Sequence, residues 1–175
     1  MIYELNCHPD TPARNVRALK VECTMTDASD VLLAFAVDGF DWLYLPELTT
    51  PTRADELWRT TCFEMFWKPI GGTAYYEFNL SPSLQWAAYA FDGYRDGMMD
   101  LPLAIDPVIA RMADGIEADV DLSTVPPGPA HIALTAVIEE IDGTKSYWSL
   151  AHPPGGPDFH HPDCFALKVP AGRSA

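Results

Sequence analysis

Two runs of strict alternation, residues 61–68 and 73–80, flank Pro69-Ile70-Gly71-Gly72, and together they specify a β-hairpin in the middle of the chain. Successive side chains of a strand point to opposite faces. The first run therefore sets Phe63, Met65 and Trp67 on one face, with Cys62, Glu64 and Phe66 on the other. The second sets Tyr76, Phe78 and Leu80 together, opposite Tyr75, Glu77 and Asn79. Closing the hairpin symmetrically pairs Met65 with Tyr76 and Phe63 with Phe78, which makes a core face. The same register pairs Glu64 with Glu77 and Cys62 with Asn79 on the opposite face. A slip of two residues preserves these faces, whereas a slip of one buries both glutamates. Ser81-Pro82-Ser83 then returns the chain, bringing Leu84, Trp86 and Ala88 to the core face and Gln85 beside Asn79.

The rest of the sequence is cut into short pieces by 16 prolines and 11 glycines. Rich in β-branched and aromatic residues, the pieces predict further strands at 18–24, 31–37, 42–45, 84–91, 108–113, 116–121, 132–139, 146–150 and 165–169. Asp114-Gly115 predicts a tight turn, Pro126-Pro127-Gly128-Pro129 a rigid one, and 53–58 a single helical turn. No internal repeat and no βαβ alternation is present, which disfavours a doubly wound nucleotide-binding sheet. A length of 175 residues with 48% apolar and 21% charged residues suits one packed core, so residues 1–175 are expected to form a single domain. The expected architecture is an all-β, antiparallel sandwich.

Charge narrows the partners. A net charge of −14 repels phosphate backbones and anionic lipid, which points away from nucleic acid and membrane surfaces. No apolar stretch has the length of a membrane-spanning helix. The N-terminus lacks the basic and apolar regions of a signal peptide. The four cysteines, Cys7, Cys23, Cys62 and Cys164, show no CxxC spacing. Reduced thiols in a cytoplasmic protein are the expectation, with a Cys7–Cys164 disulfide the alternative. Oligomeric state is not legible.

Three constellations carry possible chemistry. Glu64 and Glu77, paired across the hairpin, would repel each other and so require neutralisation by Arg59 or Arg95, a ligand's hydroxyls, or a role in catalysis. In the last case they would form the closely spaced carboxyl pair of a retaining glycosidase. Trp58 stands just before the strand that bears Glu64. The apolar C–H face of a pyranose stacks on an indole, while its hydroxyls need charged or amide partners. Trp58, Glu64, Asn79 and Gln85 supply both halves. Lastly, a long polar loop from His152 to Asp163 holds Phe159 and His160, expected to line a pocket. Adjacent His160 and His161 cannot easily face one ion, and no HxH, HExxH or Cys/His framework completes a site, so no transition metal is expected. Acidic residues of the 92–100 loop could hold a structural calcium ion. Met and His are haem ligands, but no CxxCH motif exists, Met65 is expected in the core, and Met98-Met99 lie in a loop. No GxSxG elbow is present.

The run Trp58-Arg59-Thr60-Thr61-Cys62-Phe63-Glu64-Met65-Phe66, then Tyr75-Tyr76-Glu77-Phe78-Asn79-Leu80-Ser81-Pro82, resembles the DOMON-like and type 9 carbohydrate-binding-module superfamily. Pro157-Asp158-Phe159-His160 is similar to a loop of bacterial DOMON-like proteins. The resemblance implies an antiparallel β-sandwich of jelly-roll type whose loops and one sheet face hold a ligand. For type 9 modules it implies a sugar clamped between two aromatic side chains, with Trp58 as one and Glu64 accepting hydroxyls. Arg95 would be the basic partner, and Phe159 and His160 stand where a second aromatic clamp is expected. Together these readings predict a non-enzymatic, sugar-binding protein. The site residues are Trp58, Arg59, Glu64, Glu77, Asn79, Gln85, Arg95, Phe159 and His160. Non-covalent haem binding, as in other DOMON domains, and glycoside processing by Glu64 and Glu77 are the alternatives.

Overall fold

A computed structural model describes residues 1–26 and 29–170. Its strands in chain order are β1 (Ile2–Cys7), β2 (Ala18–Met25), β3 (Asp30–Asp38), β4 (Cys62–Pro69), β5 (Tyr75–Leu80) and β6 (Trp86–Phe91). They are followed by β7 (Met99–Asp100), β8 (Val108–Arg111), β9 (Gly115–Asp121), β10 (Ala130–Glu139), β11 (Lys145–Ser149) and β12 (Leu167–Val169). All these strands pair antiparallel. One layer runs β8-β9-β3-β2-β1 and the other β7-β6-β5-β4-β10-β11, with β12 continuing the line of β11 along β10. Strand β1 joins them, pairing through Ile2 to Leu5 with β2 and through Asn6 and Cys7 with β11. The fold is the antiparallel β-sandwich that the alternation predicts.

The two layers differ in how their outer faces are covered. In β3, Val31, Leu33, Phe35 and Val37 are buried while Leu32 and Ala36 between them are exposed, the pattern of a sheet wet on one side. In β4, all six residues from Cys62 to Trp67 are buried, so that sheet is covered on both faces. Its inner face (Phe63, Met65, Trp67, Phe78, Leu80, Leu134 and Ala136) packs on the first layer, with the Phe35 and Phe63 rings 4.9 Å apart. Its outer face carries a second apolar cluster, in which Phe66, Tyr75, Tyr89 and Phe91 meet Phe159, Cys164 and Phe165 from the 150–166 segment. That second cluster positions the site. Turns are built tightly against the sheets: an added Cβ at Gly115 would stand 1.7 Å from the Phe35 carbonyl oxygen, so β9 can start there only with glycine.

Several local expectations are corrected. The hairpin register is two residues from symmetric: Met65 faces Phe78, Trp67 faces Tyr76, and Glu64 faces Asn79 instead of Glu77. The cause is β10, which keeps Lys68 and Pro69 in the β4 ladder and takes the Ile70 N–H on Pro129, so β4 outruns β5. Residues 42–45 form no strand; a 3₁₀ turn spans Phe40–Trp42 and Leu43 makes one bridge to Glu140 before Pro46. The expected turn at 53–58 is a 3₁₀ turn at Leu57–Arg59, and Arg53 bridges Trp86. Leu84 adopts φ 78 inside the Ser81–Gln85 turn, which delays β6 to Trp86. Strands β1 and β7 have no counterpart in the sequence reading. The four cysteines are free thiols.

Candidate functional site

Against the outer face of the second layer lies a cleft of about 320 Å³, lined by Trp58, Phe66, Phe91, Tyr147 and Phe159 among its aromatic residues and by Glu64, Glu77, Arg95 and His160 among its polar ones. Met98, Val137 and Pro157 complete the wall. The volume is at the lower end of the roughly 300–1,000 Å³ typical of small-molecule pockets.

Parity and pairing place the acids. Glu64 on β4 sits between Asn79 of β5 and Thr135 of β10, and Glu77 on β5 sits between Phe66 of β4 and Tyr89 of β6. The two carboxyls are therefore diagonal neighbours on one face, each almost fully buried at 2% and 5% exposure. Thr135 Oγ1 donates to Glu64 Oε2 at 2.9 Å, and Asn79 Nδ2 donates to Glu77 Oε1 at 2.9 Å. Burial, reinforced by the neighbouring Glu77 and only partly opposed by the Thr135 bond, pushes Glu64 well above the ordinary carboxylate range. Burial likewise raises Glu77 to about 7, against the Asn79 hydrogen bond and the charge of Arg95. Burial thus holds both acids at the base of the cleft toward their protonated forms, with Glu77 titrating at about 7.

The rim is built by two loops that hold each other. Tyr75 stacks on Phe91 with ring centroids 4.6 Å apart, and its hydroxyl accepts from the Arg95 N–H at 3.2 Å. The turn from Asp92 to Asp96 closes as the Asp92 N–H donates to the Asp96 carbonyl and the Asp96 N–H to the Gly93 carbonyl, each at 3.0 Å. Gly97 then passes so close to the Asp92 carboxylate that a Cβ would lie 2.2 Å from it. Arg95 itself takes φ 53, and its guanidinium donates to Asp158 Oδ1 at 2.7 Å. Tyr94 donates to the other oxygen of Asp158. Burial opposes ionisation of Asp158, but the Tyr94 and Arg95 bonds hold it below the usual range. Asp158 also accepts from the His160 backbone N–H at 3.2 Å, which fixes the 150–166 segment over the sheet.

His160 completes the wall. Its Nδ1 is 2.8 Å from the Tyr75 hydroxyl and its Nε2 3.9 Å from Glu77 Oε2. Burial, helped by the charge of Arg95, lowers its pKa to about 4, so the ring is neutral. Of the Tyr75 hydroxyl and His160 Nδ1, one donates to the other, and the Tyr75 oxygen also accepts from the Arg95 N–H. Among the described residues, no group of three or more His, Cys, Asp or Glu side chains could hold a metal ion. In the 92–100 loop, Asp100 instead approaches Arg53 at 3.6 Å.

Of the residues singled out from sequence, the structure brings Trp58, Glu64, Glu77, Arg95, Phe159 and His160 to one cleft. Asn79 lies beneath it, fully buried, its Nδ2 on Glu77 and its Oδ1 unpaired. Arg59 points to solvent and pairs with Glu56 at 2.6 Å, and it does not neutralise either buried acid. Gln85 is held in the Ser81–Gln85 turn, accepting from Ser83 Oγ at 3.3 Å, because β6 begins one residue later and Ala87 takes the position beside Asn79. The sequence reading omitted Phe66, Phe91, Met98, Val137, Tyr147 and Pro157. Phe66 was legible by parity, since it shares a face with Glu64.

No protein-family model matches the chain, and no curated protein matches it. Solved structures do. A candidate carbohydrate-binding protein of Bacteroides uniformis superposes with a TM-score of 0.68 at 13% identity, covering 94% of this chain and 83% of that one. A family 9 carbohydrate-binding module of Caldicellulosiruptor kristjanssonii in complex with glucose gives a TM-score of 0.51 at 14% identity, covering 94% and 81%. The same family in complex with cellotriose gives 0.52 at 15% identity, covering 98% and 84%. The fold is shared. These neighbours bear on the type 9 side of the sequence resemblance and not on its DOMON side.

Proposed function

We propose that this chain binds a small polyhydroxylated ligand, a sugar or sugar derivative, without transforming it. The observation that carries this reading is the cleft itself: five aromatic residues around a floor and rim of hydrogen-bonding groups, in a space of about 320 Å³. Aromatic faces accept the apolar C–H side of a pyranose, and Glu64, Glu77, His160 and Arg95 present donors and acceptors to its hydroxyls. Trp58, leaning edge-on against Tyr89 with centroids 5.9 Å apart, is the stacking residue, and Phe159, packed on Tyr147 with centroids 5.9 Å apart, lines the same cleft from the 150–166 segment. The glucose- and cellotriose-bound neighbours of the same fold support this choice of ligand class.

The test is tryptophan fluorescence titrated with mono- and disaccharides. Saturable quenching that Trp58→Ala abolishes, with circular dichroism unchanged, is the expected result; no response at millimolar sugar would overturn the proposal. A second reading, glycoside processing, is favoured by one observation: two neighbouring buried carboxyls both raised above the ordinary carboxylate range, Glu77 to about 7. It requires turnover of an aryl glycoside that disappears in both Glu64→Gln and Glu77→Gln.

A further inference from the structure

The cleft has two buried acids and one cation, Arg95 at its rim, which is paired elsewhere. Among the described residues, no lysine or arginine lies within 4.0 Å of Glu64 or Glu77; His160, 3.9 Å from Glu77, is the nearest titratable base, and it is neutral. Arg95 reaches the rim, but its guanidinium is committed to Asp158. Glu64 is 2% exposed and lines the cleft, Thr135 satisfies only its Oε2, and its Oε1 has no hydrogen-bond partner among the described residues. Asn79 Oδ1, enclosed beside it, is likewise unpaired.

A neutral sugar gives no reason for this arrangement. Its hydroxyls are bound as well by amides, which carry no desolvation penalty for charge. Two buried carboxyls without a paired cation are held toward their protonated forms in the free protein, and positive charge brought in from outside favours their ionised forms. The walls suit the same guest: the faces of Trp58, Phe66, Phe91, Tyr147 and Phe159 carry the negative side of the aromatic quadrupole, which attracts ammonium groups.

We propose that the ligand of this cleft carries a protonated amine, seated between Glu64 Oε1 and Glu77 Oε2 within the aromatic wall. This rests on the reading of the cleft as a site for a small polyhydroxylated molecule and narrows it to an amino sugar or a similar amine. On binding, the ammonium stabilises the carboxylate forms, so the carboxylic acids release protons to solvent. The groups that face this exchange are Glu64 and Cys62 on β4, Glu77 and Tyr75 on β5, Tyr89 on β6, Tyr147 on β11, Arg95 on the β6–β7 loop, and Asp158 and His160 above.

Isothermal titration at pH 6 with glucose, glucosamine, N-acetylglucosamine and ethanolamine, each in two buffers of different ionisation enthalpy, tests it. Glucosamine is expected to bind about tenfold tighter than glucose and N-acetylglucosamine, one charge-assisted contact being worth about that factor. Its heat should differ between buffers in the sense of proton release, and Glu64→Gln and Glu77→Gln should each bring the glucosamine-to-glucose affinity ratio close to one, whatever either does to glucose affinity itself. Equal affinity of the three sugars would overturn the amine and leave the sugar reading standing. Ethanolamine binding with no response to any sugar would keep the amine and remove the sugar. Silence from all four probes would remove both.

Discussion

Glu77 is the place where the structure makes its most quantitative prediction. Its carboxyl is almost fully buried, with Asn79 as its hydrogen-bond donor and no lysine or arginine within 4.0 Å among the described residues, and it titrates at about 7 compared with an ordinary 4.5. In the unfolded chain the group ionises above about 4.5; in the native chain it keeps its proton until about 7. The native state therefore binds more protons in that window, and stability falls as pH rises through it. Below the lower value both states are protonated and nothing is lost. Across 2.5 units, at about 1.4 kcal/mol per unit, the loss at pH 7 and above is roughly 3 kcal/mol. Glu64 adds a loss of the same sign. Glu77→Gln keeps an acceptor for Asn79 and cannot ionise. Urea unfolding of both proteins, followed by fluorescence at pH 4.5, 5.5, 6.5 and 7.5, reads the Glu77 contribution together with its repulsion of Glu64. The variant should be close to the parent at the acid end and progressively more stable toward pH 7.5, by roughly 3 kcal/mol at the end of the series. Parallel profiles would refute the argument that this carboxyl is buried without a counter-charge.

Three further outcomes follow from other parts of the molecule. Phe63→Ala opens a cavity at the contact with Phe35, 4.9 Å away across the layers, and should cost about 3–5 kcal/mol in chemical denaturation. Glu140 is fully buried and accepts from the Arg14 N–H at 2.6 Å, the Asn15 N–H at 2.9 Å and the Asn15 Nδ2 at 2.6 Å. Glu140→Ala strands those donors and should lower stability by about 2–4 kcal/mol with a reduced melting temperature. Asp158→Ala removes the half-exposed Arg95 pair, worth under about 1 kcal/mol globally. It should leave the melting temperature nearly unchanged while accelerating amide exchange at Arg95 and His160.

The alternation from Thr61 to Leu80 was enough to place Glu64 and Glu77 on one face, because side-chain parity survives any two-residue slip. Register did not survive. It depends on how long β4 stays paired to β10, and β10 is 60 residues away in sequence, with no local signal at Pro69 to announce it. The same reason hid β1: Ile2 to Cys7 alternates weakly, and becomes a strand because β2 and β11 offer it edges on either side. Gln85 was misplaced by a turn, since a positive φ at Leu84 is a demand of the Ser81–Gln85 hydrogen bonds and not of leucine.

The walls of the cleft were harder to read for a different reason. Phe66, Phe91 and Tyr147 are aromatic residues on strands, and on a sheet such residues ordinarily signify core. They do form a core here, but a second one, on the outer face, closed by the 150–166 segment. Where that segment lands is decided by Asp158, through its bonds to Tyr94, Arg95 and the His160 backbone. A cover of this kind explains why the acids sit where they do. An open sheet face would hydrate Glu64 and Glu77 and leave their titration ordinary; a fully packed one would replace them with apolar residues. A face roofed by aromatic rings, yet left with a cleft of about 320 Å³, keeps both carboxyls dry and reachable at once. The desolvation that weakens the free protein above pH 5 is then the same free energy that a suitably charged guest recovers on entering. The Glu77→Gln stability profile and the glucosamine titration consequently probe one quantity from its two sides.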